Sequence, residues 1–325
     1  MILAGDVGGT KTNLALATVH EGSLRLERLR SYPSQSYPSL EAVVAAYRAE
    51  EQTPIDGACF GVAGPVLGGE ARITNLPWRI SVAVLRASLG SDRVYLINDL
   101  TALAYSVPVL GPEDVATLQE GVPDPTGAIG ILAPGTGLGQ GYLCWDGSRY
   151  RPGASEGGHA DFAPADDLQV RLLQFVRARV GGGHVSWERV LSGPGLQTIY
   201  AFLLESGGQQ PAWVAERLAA GDPSAVISSL ALSYADPLCS QALDLFVSLM
   251  GAQAGNLALT LMATGGVYLG GGIPPKILPK LQDGTLIRAF RDKGRLAPVM
   301  ERIPLRVIMN PQAPLLGAAS CALGR

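Results

Sequence analysis

Two short stretches hold residue types that could grip a phosphate chain. One is Asp6-Val7-Gly8-Gly9-Thr10-Lys11, and the other is Gly135-Thr136-Gly137-Leu138-Gly139. Residues 2–7 and 12–19 flank the first as apolar, strand-like runs, and residues 128–133 and 140–145 flank the second. Strand, glycine-rich turn and return strand read as a hairpin. Such a turn can bare successive backbone N–H groups, because glycine tolerates positive φ and has no side chain to block a ligand. Two of them can hold one polyphosphate from two sides, which points to phosphoryl transfer. Asp6, ending a strand beside Gly8, Gly9 and Thr10, can hold hydrated Mg²⁺ near phosphates, or it can simply cap the hairpin turn. Lys11 can neutralise phosphate or stand as a solvated turn lysine. No GxGxxG opening a helix and no GxxxxGK[ST] occurs, which excludes the dinucleotide fingerprint and the P-loop.

Other stretches could act on the acceptor. Asn98-Asp99 follows the apolar run 94–97, and ligand chemistry in open α/β sheets gathers at the carboxyl ends of strands. An aspartate there can take a proton from a hydroxyl as it attacks phosphorus; it can also be the N-cap of a helix over 101–106. In Glu156-Gly157-Gly158-His159 two glycines let the chain fold tightly, so carboxylate and imidazole can converge on one ligand, with Asp161 close behind. Vicinal sugar hydroxyls suit carboxylates, whereas one histidine without a nearby cysteine makes a poor zinc set. Glu188 is a further carboxylate or an exposed first-turn glutamate, with Ser186 as a candidate cap. Asn75, in the stretch 74–78, is a candidate polar wall. An apolar strand ends at Gly270-Gly271-Gly272, where a flat ligand such as adenine can approach, or where the chain merely turns into a helix started by Pro274.

The elements that must position these residues alternate. Strands are expected at 2–7, 12–19, 23–32, 57–63 and 93–97, and helices at 39–50 and 81–89, with Ser39 capping the first. That order implies a mixed sheet with helices on its faces. Residues 110–127 are rich in turn formers. Beyond the second hairpin, helices are expected at 166–180, 192–205, 212–220 and, as one long helix, 224–262. A strand and turn at 266–272, a strand at 303–309 and a helix at 314–323 close the chain. The recurring hairpin suggests an internal duplication: a small α/β domain of residues 1–108 plus 310–325, and a large one of 109–309.

The chain has 325 residues, 47% of them hydrophobic and 16% charged, with net charge −3. This length favours two domains. Without a basic stripe, nucleic acid is not an expected partner. Four scattered cysteines without a CxxC fit a reduced, cytoplasmic setting. The apolar stretch 243–267 carries Asp244, Gln253 and Asn256 and reads as a buried core helix, so no membrane span is expected.

As an ordered set, these motifs resemble the bacterial glucokinase family, within the sugar-kinase, chaperone and actin superfamily. The markers run from Asp6–Thr10 through 97–99, 135–139, 156–164 and 189–196 to 270–273. The resemblance implies an α/β, duplicated RNase H-like (actin-like ATPase) fold with two domains and an intervening cleft. It implies Asp99 as general base on the 6-hydroxyl of glucose, and Asn98, Glu156, His159 and Glu188 as sugar ligands. It further implies Asp6, Gly8, Gly9 and Thr10 as the first phosphate element, residues 135–139 as the second, and Gly271 and Gly272 as part of the adenosine site. Family members are commonly cytoplasmic homodimers using Mg-ATP. The related ROK group carries a cysteine-rich zinc loop after its Glu-x-Gly-His; residues 160–164 contain no cysteine, which argues against that subgroup. Alternatives within the same reading are a kinase for mannose, fructose or an N-acetylhexosamine, and a sugar- or nucleotide-responsive regulator without turnover.

Overall fold

The computed structural model describes residues 1–73, 76–153 and 155–324. They divide into two compact units. The first comprises Met1–Asp114, Trp145–Gly153 and Asn310–Arg325, and the second Val115–Cys144 and Ala154–Met309.

In the first unit, β1 (Ile2–Val7) pairs antiparallel with β2 (Lys11–His20), and β2 with β3 (Ser23–Pro33). After α1 (Leu40–Glu50), β4 (Gly57–Val62) returns parallel to β1. Three short strands, β5 (Val66–Leu67), β6 (Glu70–Arg72) and β7 (Arg79–Ser81), form a small antiparallel sheet. Helix α2 (Val82–Leu89), β8 (Val94–Asn98), parallel to β4, and α3 (Asp99–Ser106) complete this half. The main sheet has the order β3-β2-β1-β4-β8. Every residue of β4 is buried, as a central parallel strand covered on both faces requires. The period-two alternation sorts the core. Leu3, Val7, Leu14, Phe60 and Val62 join the larger cluster with α1, while Ile2, Ala4, Ala15, Ala17 and Cys59 face the C-terminal helix. Ser39 caps α1 by accepting from the Ala42 N–H at 3.3 Å, as expected.

In the second unit, β9 (Val115–Gln119) precedes the hairpin of β10 (Ile129–Pro134) and β11 (Leu138–Trp145); the short β12 (Tyr150–Gly153) belongs to the first unit. Helices α4 (Asp167–Arg179), α5 (Gly193–Glu205), α6 (Ala212–Ala220), α7 (Pro223–Leu232) and α8 (Pro237–Leu261) follow. Then come β13 (Gly266–Leu269), the short helices α9 (Leu278–Leu281), α10 (Thr285–Arg291) and α11 (Ala297–Met300), and β14 (Leu305–Ile308). Within this unit the strand order is β11-β10-β13-β14-β9. Thus the first unit's β2-β1-β4-β8, an antiparallel hairpin followed by two parallel strands, recurs as β11-β10-β13-β14. The final helix, α12 (Ala313–Leu323), rejoins the first unit and covers its alanine-lined face.

Three expectations need correction. The span 224–262 is two helices, because the chain turns at Tyr234 (φ 53°) and restarts where Asp236 caps α8 ahead of Pro237, accepting from the Cys239 N–H at 2.8 Å. The turn-rich stretch 110–127 contains β9, which pairs antiparallel with β14. Its Gln119 is buried and donates to the carbonyls of Met300 and Ile303 at 2.8 and 2.6 Å. The stretch after residue 273, where only a helix started by Pro274 was offered, folds into a 3₁₀ turn at Pro274–Ile277 and then α9, α10 and α11. Helix α8 is long and apolar enough to cross a membrane, yet most of it is buried inside the second unit, so its apolarity is that of a core helix.

Candidate active site

The first unit brings the phosphate-turn and base candidates to the carboxyl ends of β1, β4 and β8. Register places Asp6 beside Gly61, and Val62 beside Asn98. Gly61 was not singled out from sequence, yet it makes this approach possible. A Cβ there would lie 2.8 Å from the Ala102 Cβ and 4.0 Å from the Asp99 Cα, so only glycine lets α3 start this close to β4.

Asn98, not Asp99, is the N-cap. Its Oδ1 accepts from the Thr101 N–H at 2.7 Å, leaving its Nδ2 as a donor. Asp99 is the first helical residue; its Oδ1 accepts from the Leu100 N–H at 2.9 Å and from Asn98 Nδ2 at 3.4 Å. Among the described residues no hydrogen bond ends on Asp99 Oδ2, which stays open to a substrate hydroxyl. The side chain is exposed at its tip but ringed by protein. Desolvation raises its carboxyl above the ordinary 3.8, partly offset by the backbone bonds. Asp6 is half-buried, and desolvation raises its carboxyl too. A bond from Asn13 Nδ2 at 3.3 Å pulls it down, and the nearby Asp99 charge adds to the rise. Two neighbouring carboxylates, without a cationic partner among the described residues, form an anionic end to the sheet. Asn13, another residue missed as a contact, is held in turn by Ser31 Oγ at 2.6 Å.

The first glycine turn spans Gly8, Gly9 and Thr10, since Val7 pairs with Thr12 and the Gly8 N–H donates to the Lys11 carbonyl at 2.9 Å. Lys11 opens β2 with its side chain exposed, as is Thr10. Ser34 braces the turn from outside: its N–H donates to the Thr10 carbonyl at 3.0 Å and its hydroxyl to the Gly8 carbonyl at 2.8 Å. That uses the single Ser34 hydroxyl proton, so Thr12 is the donor in their 3.0 Å contact.

The second unit repeats the device. Gly135, Thr136 and Gly137 form the turn, with the Gly135 N–H donating to the Gly137 carbonyl at 2.8 Å; Gly139 lies already inside β11, opposite Ala133. The Gly193 N–H at the start of α5 braces it through the Gly135 carbonyl at 2.8 Å. Beside it, the turn after β13 hangs on β10, through the Gly270 N–H to the Leu132 carbonyl at 2.9 Å and the Ile273 N–H to the Pro134 carbonyl at 3.4 Å. Gly271 has φ 80° and an added Cβ would sit 2.6 Å from the Pro134 carbonyl oxygen, so a side chain is excluded twice over. Gly272 is exposed, with open space before it.

Glu188 is not a free first-turn glutamate. Its Oε2 accepts from the Leu138 N–H at 3.0 Å and would lie 2.5 Å from a Cβ on Gly137. Ser186 does not cap this turn with its side chain. Gly157-Gly158-His159 forms a single 3₁₀ turn headed by Glu156, with Gly158 flush against the Leu138 carbonyl. Glu156 and His159 are exposed on that turn, so both are anchored beside the strand that leaves the second glycine turn. Asp161 instead pairs with His184 at 2.9 Å on the surface. Asn75 lies outside the described residues. Behind this turn, Gln140 packs on Gly157 and accepts from the buried Gln253 at 2.9 Å, a brace that sequence patterning did not reveal.

A duplicated hairpin-and-parallel-strand topology, with glycine turns at corresponding hairpins and a carboxylate at a strand end, defines an actin-like ATPase fold equipped for phosphoryl transfer. A family model described as Glucokinase matches residues 3–324. The chain is 42% identical to a glucokinase of Nostoc punctiforme over 339 residues, covering 99% of this chain and 98% of that one. A crystal structure of a glucokinase from an Antarctic psychrotroph superposes with a TM-score of 0.88 at 30% identity, covering 100% and 99% of the two chains. At the level of fold alone, a ROK family glucokinase from Streptomyces griseus, in complex with glucose and AMPPNP, superposes with a TM-score of 0.66 at 22% identity, covering 100% and 99%. The chain belongs to the glucokinase family, in the group outside ROK, and is an enzyme.

Proposed function

We propose that this chain transfers the γ-phosphoryl group of ATP to the 6-hydroxyl of D-glucose, giving glucose 6-phosphate and ADP, with Asp99 as the general base. The observation that carries the role of Asp99 is the division of labour at the head of α3: Asn98 caps the helix, which leaves Asp99 Oδ2 uncommitted at a strand end. The reaction follows from the family and from the named relatives.

Asp99 Oδ2 takes the proton of the 6-hydroxyl while that oxygen bonds to phosphorus and the bond from phosphorus to the β–γ bridging oxygen breaks. Glu156, His159, Glu188, Asn75 and the Asn98 amide N–H hold the sugar hydroxyls. Gly8, Gly9, Thr10 and Lys11 from the first unit, and Gly135, Thr136, Gly137 and Gly139 from the second, offer N–H, hydroxyl and ammonium groups to the phosphates. Gly271 and Gly272 leave room for the adenosine. Catalysis is then mostly positioning and charge stabilisation.

Asp6 fits Mg²⁺. It is a half-buried carboxylate whose charge no cationic side chain offsets among the described residues, beside a phosphate turn. Mg²⁺ keeps several waters and takes few protein ligands, so one carboxylate together with the phosphates suffices. Bound there through water, it would neutralise charge building on the transferring phosphoryl group. Assembly as a cytoplasmic homodimer is the family expectation, and sedimentation measures it.

The test is ADP release across a panel of hexoses with ATP, ADP or polyphosphate as donor. Turnover highest with glucose and ATP is expected. Preference for mannose, fructose or an N-acetylhexosamine would reassign the substrate, and binding without turnover would make the protein a regulator.

A further inference from the structure

The buried amide Gln253 stands in the middle of α8, a core helix of 25 residues, and no step of the phosphoryl transfer uses it. Met250 and Leu257, one turn to either side, are core residues. A buried amide costs stability unless its N–H and C=O groups are paired. Gln253 is paired at both ends. Its Oε1 accepts from Asn256 Nδ2 at 3.1 Å, and its Nε2 donates to Gln140 Oε1 at 2.9 Å. Because Asn256 occupies the oxygen, the nitrogen is the end turned toward β11. Gln140 is half-buried on that strand, so the core helix fixes which end of the Gln140 amide carries the oxygen. Packing alone does not call for an amide at 253, since leucine would suit a site flanked by Met250 and Leu257.

The orientation of Gln140 matters at Gly157. A Cβ on Gly157 would collide with Gln140 Nε2 and lie 2.6 Å from its Cδ, and one on Gly158 would collide with the Leu138 carbonyl oxygen. The turn Gly157–His159 thus rests on β11 at two points. One is backbone and cannot yield. The other is the end of a flexible side chain, and it is firm only because Gln253 ties it to α8. The Gly157 N–H is spent on Ser155 Oγ at 3.0 Å, so it does not itself bond the turn to Gln140.

We propose that Gln253 is a positioning residue for the sugar end of the site: by locking the Gln140 amide it sets the height of the Gly157–His159 turn above β11, and with it the placing of Glu156 and His159. The inference rests on the reading of Glu156 and His159 as sugar ligands. Neither amide touches the sugar in this scheme. Gln253 acts through Gln140, and Gln140 acts through the backbone of the turn.

Gln253→Leu in the full chain keeps the bulk and removes the donor to Gln140. By ADP release, the glucose KM should rise about 2- to 30-fold, the range spanned by residues that act without ligand contact. The ATP KM and kcat should hold, the pattern of lost sugar binding. Gln140→Leu should act alike, and the double variant should be no worse than either single one, because both changes break one connection. Hydrogen exchange without substrates gives a second readout. The His159 N–H donates to the Glu156 carbonyl at 2.9 Å and the Ala160 N–H to the Gly157 carbonyl at 3.1 Å. Both amides should exchange faster in Gln253→Leu, while those of α5 keep their rates. A rise shared equally by the glucose and ATP KM, or faster exchange throughout the second unit, would make Gln253 a stability residue alone and overturn the proposal. So would an unchanged glucose KM, unchanged exchange at 159 and 160, or additive effects in the double variant. Should Gln253→Leu fail to fold, Gln140→Leu carries both readouts. A parent without sugar-dependent ADP release fails the phosphotransferase reading instead, and exchange at 159 and 160 then judges the brace.

Discussion

Asp99 heads α3 without capping it, and that detail sets what its substitution does. Asp99→Asn keeps the Asn98 cap and an acceptor for the Leu100 N–H, but removes the carboxylate proposed as the base. A kcat fall of roughly 10²–10⁴-fold is expected, with glucose binding by calorimetry within a few-fold of the parent; near-normal kcat would refute the assignment. The raised carboxyl also has a sign. Stability from a raised carboxyl is fully present below the ordinary 3.8 and is lost as pH rises through the folded value, so ionised Asp99 opposes folding at pH 7. Asp99→Asn should therefore raise Tm at pH 7, modestly because the group is exposed at its tip, and the gain should vanish below 3.8. In the parent enzyme the acid limb of kcat/KM should fall above 3.8; a limb at or below that value would remove Asp99 as the titrating base. Glu156→Gln is expected to raise the glucose KM sharply, since a carboxylate that accepts from sugar hydroxyls loses capacity. An unchanged KM would take Glu156 out of the sugar set. Of these residues, Asp6, Asp99, Glu156 and the glycines were legible because their types are unusual beside strand ends. Asn13, Ser34 and Gln140 were not, because an amide or hydroxyl in a strand or loop carries no signal until its partner is known.

At the scale of elements, each glycine turn is held by a brace from elsewhere in its own unit: Ser34 for the first, the head of α5 and Glu188 for the second. Ser34→Ala should loosen the first turn and strand the buried Thr12 hydroxyl, destabilising by about 1–3 kcal/mol. The ATP KM should rise with the glucose KM little changed; a larger change in the glucose KM would show that this turn does not serve the nucleotide. Gly271→Ala tests the turn after β13. With φ 80° and the Pro134 carbonyl at 2.6 Å from the added carbon, the turn must open, which should weaken ATP binding and lower Tm. Unchanged Tm and ATP KM would mean that the turn yields freely. The strands were readable element by element from apolar runs, but β9 was not. Its five residues stand among turn formers, and what makes them a strand is the partner β14, distant in sequence. The break between α7 and α8 was written in Asp236-Pro237, a local start signal hidden by unbroken apolar composition on either side.

Across the whole molecule, the chain of 325 residues folds into two units that repeat one strand order. Ligands that bind only the folded state stabilise it by about 2.7 kcal/mol at a hundredfold excess over Kd. Glucose with AMPPNP should therefore raise Tm beyond glucose alone, and a thermal shift absent with both would contradict sugar and nucleotide binding together. Local sequence patterns determined the class of chemistry, the two hairpins and most of the strands and helices, because glycine turns, capping residues and apolar periodicity act over a few neighbours. Tertiary structure decided that Gly61 lets α3 start against β4, that Ser34 and Glu188 brace the two glycine turns, and that Gln253 reaches Gln140. Those facts depend on contacts between residues far apart in the chain, whose geometry is fixed only when the strands and helices pack.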